Sequence, residues 1–166
     1  MTRRETARVK QLRKMYSIED SRLQGPAGWE KLPFFWFLLF LTYRCTHRCD
    51  HCFVHSGPSA PGTFSLGQVR RTLEEAARIA TVKRVYYEGG EPFLYYPLLL
   101  EGLRAARESG FEVGVVTNAY WAETEEDAEL WLRPLAEIGM ADLSISDDAL
   151  HHGEGDPSPA RRALRA

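Results

Sequence analysis

The sequence lacks the features that define several common protein classes. Its longest apolar run, residues 34–41, is about half the length that a membrane-crossing helix needs, so we expect no membrane association. Basic and acidic residues nearly balance at 21 and 23, without the basic excess typical of general nucleic-acid binders. The first residues carry charge but no apolar core with a cleavage site, so we expect no secretory signal. The 166-residue chain also shows no internal repeat or low-complexity stretch.

Cysteine is scarce, and the three cysteines of the chain fall within eight residues. Cys45, Cys49 and Cys52 have the spacing C-x3-C-x2-C. An odd number in one loop does not suit a disulfide framework; it fits thiolate ligands in a reducing compartment, and this predicts a cytoplasmic protein. Three thiolates can hold three irons of a cubane cluster and leave the fourth iron open, whereas structural clusters usually take four cysteines.

A zinc site is the alternative reading of the same loop. The three cysteines with His47, His51 or His55 would make a Cys3His set. Zinc sites usually pair their ligands across two separated turns, and zinc would leave the glycine-rich segment further along the chain unexplained. We therefore favour the iron–sulfur interpretation and keep zinc as the second one.

Four short apolar runs rich in β-branched or aromatic residues predict strands at residues 35–41, 82–87, 113–117 and 142–146. Helical patterns lie between them, which indicates an α/β fold with a parallel sheet and right-handed crossovers. Four such units are too few to close an eight-stranded barrel.

Cap and turn residues predict the helices between these strands. Ser65-x-x-Gln68 is a capping box, followed by an apolar face comprising Val69, Leu73, Ala76, Ala77 and Ala80. The second helix is predicted at residues 98–109. The third is predicted at residues 124–138, where Pro134 should kink or shorten it. A fourth is predicted to start at Asp156-Pro157.

Polar and glycine-rich segments follow all four predicted strands. The cysteine loop follows the first strand, Gly89-Gly90-Glu91 the second and Asn118 the third, while Ser144 and Ser146 lie at the end of the fourth. Ligands of parallel α/β folds bind at these strand ends, so the segments should converge on one site. The two glycines let the backbone approach a ligand closely, and the Glu91 carboxylate can accept hydrogen bonds from an ammonium group.

The cysteine spacing and Gly89-Gly90-Glu91-Pro92, in this order, resemble the radical SAM superfamily over residues 34–152. The resemblance implies a partial TIM-like (β/α)6 barrel, with four of its six units present. It implies a [4Fe–4S] cluster on Cys45, Cys49 and Cys52, and S-adenosylmethionine (SAM) on the open iron. The amino end of the methionine moiety would lie at Gly89, Gly90 and Glu91, and its carboxylate or the ribose near Asn118, Ser144 and Ser146. Residues 1–31 are then a polar extension, and residues 32–166 a core domain truncated at its C-terminus.

The implied function is that of a radical SAM enzyme. An external one-electron reductant, such as a flavodoxin or ferredoxin, would drive cleavage of SAM to a 5′-deoxyadenosyl radical that removes hydrogen from an unknown substrate. The alternatives are a non-enzymatic zinc- or iron–sulfur-binding α/β module, and a SAM-binding activating subunit that depends on a partner. His151 and His152 lie in a polar loop and are interpreted as solvated, with a substrate-side role as the alternative because they follow a strand end. Tyr120 and Trp121 are expected to pack over the barrel rim.

Overall fold

The computed structural model describes residues 35–152 and 158–166. Its strands are β1 (Phe35–Thr42), β2 (Val82–Gly89), β3 (Glu112–Thr117) and β4 (Asp142–Ile145). Its helices are α1 (Leu66–Ala77), α2 (Tyr96–Glu108), α3 (Glu125–Ile138), α4 (Ala149–His152) and α5 (Pro159–Arg165), with a 3₁₀ turn at Pro92–Tyr95. The predicted extension over residues 1–31 and the helix start at Asp156-Pro157 lie outside the described residues; α5 begins at Pro159, after its cap Ser158.

The four strands form one parallel sheet in the order β1-β2-β3-β4. Leu39 pairs with Tyr87, Tyr87 with Val115, and Val115 with Leu143 across the sheet. Parallel crossovers are almost always right-handed, so a sheet in chain order carries its helices on one face, as a barrel does. A doubly wound sheet would instead reverse its strand order part-way. The prediction of a partial TIM-like barrel with parallel strands is confirmed.

The two faces of the sheet differ in burial. Leu41, Val85 and Tyr87 belong to a buried cluster that also contains side chains from all three long helices. On the opposite face, Trp36 and Leu38 of β1 remain 56% and 47% exposed. The apolar run therefore has one buried side, although it reads as uniformly hydrophobic in the sequence.

Helix α1 begins where the sequence predicts but ends before its predicted apolar face does. In α1 both hydrogen bonds of the capping box between Ser65 and Gln68 are present. Val69, Leu73 and Ala76 are buried, but Ala77 is exposed and Ala80 lies beyond the helix, so the predicted face was too long. The chain leaves the helix early because a turn must lead into β2, and the Val82 N–H donates to the Ile79 carbonyl there.

Helix α3 runs through Pro134 to Ile138 and ends at left-handed Gly139, so the proline does not shorten it. Helix α2 begins at Tyr96, earlier than predicted, with Pro97 in its first turn, where a missing N–H costs nothing. No helix in residues 35–152 or 158–166 has the length and apolar character needed to cross a membrane.

Candidate functional site

The cysteine loop is anchored at both ends beside the carboxyl end of β1. Isolated bridges join Thr42 to Thr63 and Arg44 to Gly57. The Cys45 N–H donates to the Gly57 carbonyl at 3.1 Å, and the Phe64 N–H donates to the Leu41 carbonyl at 2.9 Å. The loop therefore folds back on itself, and its cysteines are held near the end of the strand.

All three cysteines are free thiols. Cys45 is buried, whereas Cys49 and Cys52 are half-buried. Backbone N–H groups of His47 and Ser56 point at the sulfurs of Cys45 and Cys52, at 3.4 and 3.3 Å. Burial raises the pKa of Cys45 and also that of Cys49, and neighbouring thiols and carboxylates raise both further. Thiolates in such surroundings need a compensating positive charge, which a metal centre supplies.

The spacing of the sulfurs bears on the kind of metal centre. A tetrahedral zinc ion with Zn–S bonds of about 2.3 Å would hold its sulfurs about 3.8 Å apart. In the described part of the chain, the three cysteines do not form a group that converges on one ion; His51, Asp148 and His151 do, with ligand atoms all within 4.8 Å of one another. Thiolates that each bind a different iron of a cluster do not need to converge on one point, whereas the ligands of a zinc ion do.

Gly89 and Gly90 join the end of β2 to the start of the cysteine loop. The Gly90 N–H donates to the Thr42 carbonyl at 2.6 Å, and the Glu91 N–H donates to the Arg44 carbonyl at 2.8 Å. A Cβ on Gly90 would lie 2.1 Å from the Arg44 carbonyl oxygen, and one on Gly89, whose φ is +121°, would lie 2.4 Å from that of Thr42. The glycines are therefore required by this backbone packing, in addition to any approach to a ligand.

Glu91 is fully buried, and its carboxylate does not face a ligand. Oε1 accepts hydrogen bonds from the Phe93 N–H at 3.0 Å and the Thr117 hydroxyl at 2.9 Å. Oε2 accepts one from the Asn118 N–H at 2.8 Å. Burial raises the pKa of Glu91 to about 7, although these hydrogen bonds act to lower it. The structure thus corrects the expectation that this carboxylate binds an ammonium group, because it instead joins β2 to the loop after β3.

Asn118 connects the end of β3 to the cysteine loop. Its side-chain nitrogen lies 3.0 Å from the Thr46 hydroxyl, 2.7 Å from His47 Nδ1 and 3.5 Å from the Cys45 sulfur. Its side-chain oxygen accepts a hydrogen bond from the Tyr120 N–H at 3.0 Å. Glu91, Asn118 and Cys45 therefore form a continuous chain of contacts across three strand ends.

A cavity of about 180 Å³ lies at these strand ends. The three cysteines, Gly89, Gly90, Asn118 and His151 are among its lining residues. Ser144 and Ser146 do not line it: Ser144 is exposed on β4, and the Ser146 N–H donates to the Thr117 carbonyl. With His47 and His51, which also line it, the cavity brings together nine of the residues named in the sequence analysis and leaves Glu91 and the two serines outside.

His151 lines the cavity, as do Val54 and Ser56, which the sequence analysis did not single out. It was interpreted as solvated, but its ring lies 4.9 Å from that of His51 and 6.2 Å from that of His47, measured between centroids. The signal available in the sequence was its position just beyond the fourth strand, where ligands bind. His152 lies next to it in α4, and the structure does not describe its side chain.

A cluster of stacked aromatic rings packs next to the site. Trp121 is 4% exposed and stacks on Phe93 with ring centroids 4.6 Å apart. Its indole N–H donates to the Thr117 hydroxyl at 3.2 Å, and Phe93 in turn stacks on Tyr96. The packing role expected of Trp121 is confirmed, and this packing holds the same threonine that contacts Glu91.

Fold and site together define a parallel α/β barrel segment that carries a three-cysteine loop at its strand ends. The family model described as the radical SAM superfamily matches residues 39–153. The chain belongs to this superfamily, as its cysteine and glycine motifs predicted.

Three curated relatives show how varied the similar proteins are. "Putative peptide biosynthesis protein YydG" of Bacillus subtilis (strain 168) is 25% identical over 67% of this chain and 35% of its own length. The tungsten-containing aldehyde ferredoxin oxidoreductase cofactor-modifying protein of Pyrococcus furiosus is 29% identical over 68% and 30%. The S-adenosylmethionine-dependent nucleotide dehydratase of Fibrobacter sp. (strain UWH6) is 25% identical over 68% and 33%. The chain spans about a third of the length of these relatives.

Proposed function

We propose that Cys45, Cys49 and Cys52 bind a [4Fe–4S] cluster, that its open iron binds SAM, and that the chain is a radical SAM enzyme domain. The observation that carries this proposal is the placement of three free thiols around one cavity, beside Gly89 and Gly90. Membership of the superfamily supports the same cofactors.

The residues of the cavity fit these groups. Three thiols form the donor set, and the buried Ser56 hydroxyl beside Cys52 has no hydrogen-bond partner among the described residues. Gly89 and Gly90 also line the cavity, where no Cβ stands between the backbone and a ligand. When bound, the cluster and SAM supply one-electron cleavage of a carbon–sulfur bond, giving a 5′-deoxyadenosyl radical that removes hydrogen from the substrate.

The protein side chains have positioning roles in this proposal. Backbone groups of Gly89 and Gly90 receive the amino end of the methionine moiety. The buried Glu91 carboxylate does not contact that amino group; it holds the loop after β3 through the Asn118 N–H. Asn118 holds the cysteine loop and borders the cavity. Ser144 and Ser146 remain proposed contacts of the carboxylate or ribose.

The electron comes from outside the chain. With three cysteines in total, the sequence has no ligands for a second cluster of this kind, so we propose a flavodoxin or ferredoxin as donor. A thiolate-held centre requires reducing surroundings, so we propose a cytoplasmic location. The relatives' names point to a peptide, a cofactor and a nucleotide, so no single substrate class is proposed.

Anaerobic reconstitution with iron and sulfide tests this function. We expect [4Fe–4S] stoichiometry, an EPR signal after reduction that changes when SAM is added, and formation of 5′-deoxyadenosine. Cys49→Ala should lose the cluster, whereas His55→Asn, in the same loop and suited to the left-handed backbone at that position, should keep it. Stoichiometric zinc with no cluster uptake would overturn the proposal. Uptake of the cluster and SAM without 5′-deoxyadenosine would instead support a partner-dependent activating subunit.

A further inference from the structure

We propose that His51, Asp148 and His151 form a mononuclear site for a divalent transition-metal ion, separate from the three cysteines. One nitrogen of each imidazole and one carboxylate oxygen all lie within 4.8 Å of one another. Two histidines and one carboxylate form a ligand set that binds Zn²⁺ or Fe²⁺, with protein–metal distances of about 2.0–2.2 Å. This site extends beyond the proposed function and does not depend on it.

The ligands come from two separate elements that meet at the strand ends. His51 belongs to the cysteine loop after β1, whereas Asp148 and His151 lie at the start of α4 after β4. The imidazole rings of His51 and His151 are nearly perpendicular, at 79°, with centroids 4.9 Å apart. A ligand group of this kind requires the tertiary fold, because His51 and His151 are 100 positions apart in the sequence.

Asp148 is held in place before any ion binds. Its Oδ1 accepts hydrogen bonds from the backbone N–H groups of Leu150 at 2.9 Å and His151 at 3.1 Å. Its Oδ2 lies 2.7 Å from His151 Nδ1. This contact fixes the orientation of the His151 ring relative to Asp148 in the ion-free protein. Binding an ion replaces the hydrogen bond between Asp148 and His151 with bonds from both groups to the metal, and the exposed His51 side chain adjusts to complete the set.

The position of the site distinguishes it from a structural metal centre. His51 and His151 both line the cavity that the cysteines border. Structural zinc sites are closed by four protein ligands, whereas three protein ligands leave at least one coordination position open. An ion here would therefore present an open position at the cavity wall.

Cobalt binding tests the site in the full-length, cluster-free protein with its cysteines blocked by iodoacetamide. We expect one equivalent of Co²⁺, with visible d–d bands of nitrogen and oxygen ligation and no thiolate-to-cobalt charge transfer. His151→Ala and Asp148→Asn should each weaken binding by about 10- to 100-fold or more. His55→Asn removes an imidazole of the same loop outside the group and is the matched control.

A second measurement uses the cluster-loaded protein, so that the result does not depend on alkylation. Elemental analysis should find one equivalent of Zn²⁺ in addition to the cluster iron, and His151→Ala should lose the zinc while keeping its iron and sulfide. The proposal is overturned if blocking the thiols abolishes Co²⁺ uptake, if His55→Asn weakens binding as much as His151→Ala, or if His151→Ala loses the cluster together with the zinc. Failure of the proposed radical SAM function would appear instead as absent cluster uptake with Co²⁺ binding intact.

Discussion

Replacing the buried Glu91 by glutamine tests how this side chain holds the strand ends together. The carboxylate accepts hydrogen bonds from the Phe93 N–H, the Thr117 hydroxyl and the Asn118 N–H. A glutamine offers one oxygen and one NH₂, so in either orientation its NH₂ faces a buried backbone N–H. One unsatisfied buried donor costs about 1–3 kcal/mol. We therefore expect Glu91→Gln to be less stable than wild type in acid, where the wild-type carboxyl is neutral too.

The pH dependence of this difference gives the sharper test. Below pH 4.5 the Glu91 carboxyl is protonated in both folded and unfolded chains. As the pH rises from 4.5 to about 7, the unfolded chain releases this proton while the folded chain retains it, so the wild type loses stability. A pKa raised from 4.5 to about 7 corresponds to roughly 3 kcal/mol. Because glutamine does not titrate, the wild-type advantage over Glu91→Gln should shrink by about this amount between pH 4.5 and pH 8.

Urea unfolding followed by circular dichroism measures the difference at pH 5, 6, 7 and 8, in reduced, cluster-free protein. Glu74→Gln, exposed on α1, is the matched control, and its difference from wild type should stay constant. A Glu91→Gln difference that does not change with pH would refute the argument that burial raises this pKa. A wild-type advantage that grows with pH would show that the hydrogen bonds favour the ionised carboxylate more than burial disfavours it.

Two further substitutions test the packing around the site. Gly90→Ala places a methyl group 2.1 Å from the Arg44 carbonyl oxygen and should cost about 3 kcal/mol in urea unfolding, with reduced iron uptake. Gly67→Ala in α1, where the added Cβ would meet only the Arg71 side chain at 3.7 Å, should instead be neutral or up to about 1 kcal/mol stabilising, and equal effects would contradict the reasoning. Tyr87→Phe removes a buried hydroxyl that donates to the Gly102 carbonyl at 2.6 Å, so we expect a loss of about 0.5–1.5 kcal/mol and a lower urea midpoint, whereas an unchanged midpoint would show that this hydrogen bond contributes no net stability.

The fold could be predicted from local sequence signals. Apolar runs separated by helical periods define the order of the elements, and the handedness of parallel crossovers then constrains how they assemble. The capping box at Ser65 and the left-handed Gly139 are likewise local features, and the structure contains both. The end of α1 was harder to predict, because it depends on where the chain must turn to reach β2. The spacing of Ala76, Ala77 and Ala80 does not indicate the position of that turn.

The convergence of the candidate site followed from the same local signals. Motifs after consecutive parallel strands must lie at one edge of the sheet, so the cysteine loop, Gly89, Gly90 and Asn118 could be brought together without coordinates. Ser144 and Ser146 follow the same rule but lie outside the cavity, because side-chain direction and strand length at β4 decide which atoms reach it.

The sequence by itself determined the family, the order of the strands and the three thiols, because each depends on residue type and spacing along the chain. Only the tertiary structure decided which way the side chains point. It directs Glu91 into the protein, where three donors from neighbouring loops hold it, and it brings His151 beside His51. Both outcomes depend on contacts between segments far apart in the sequence, and such contacts exist only once the sheet has formed.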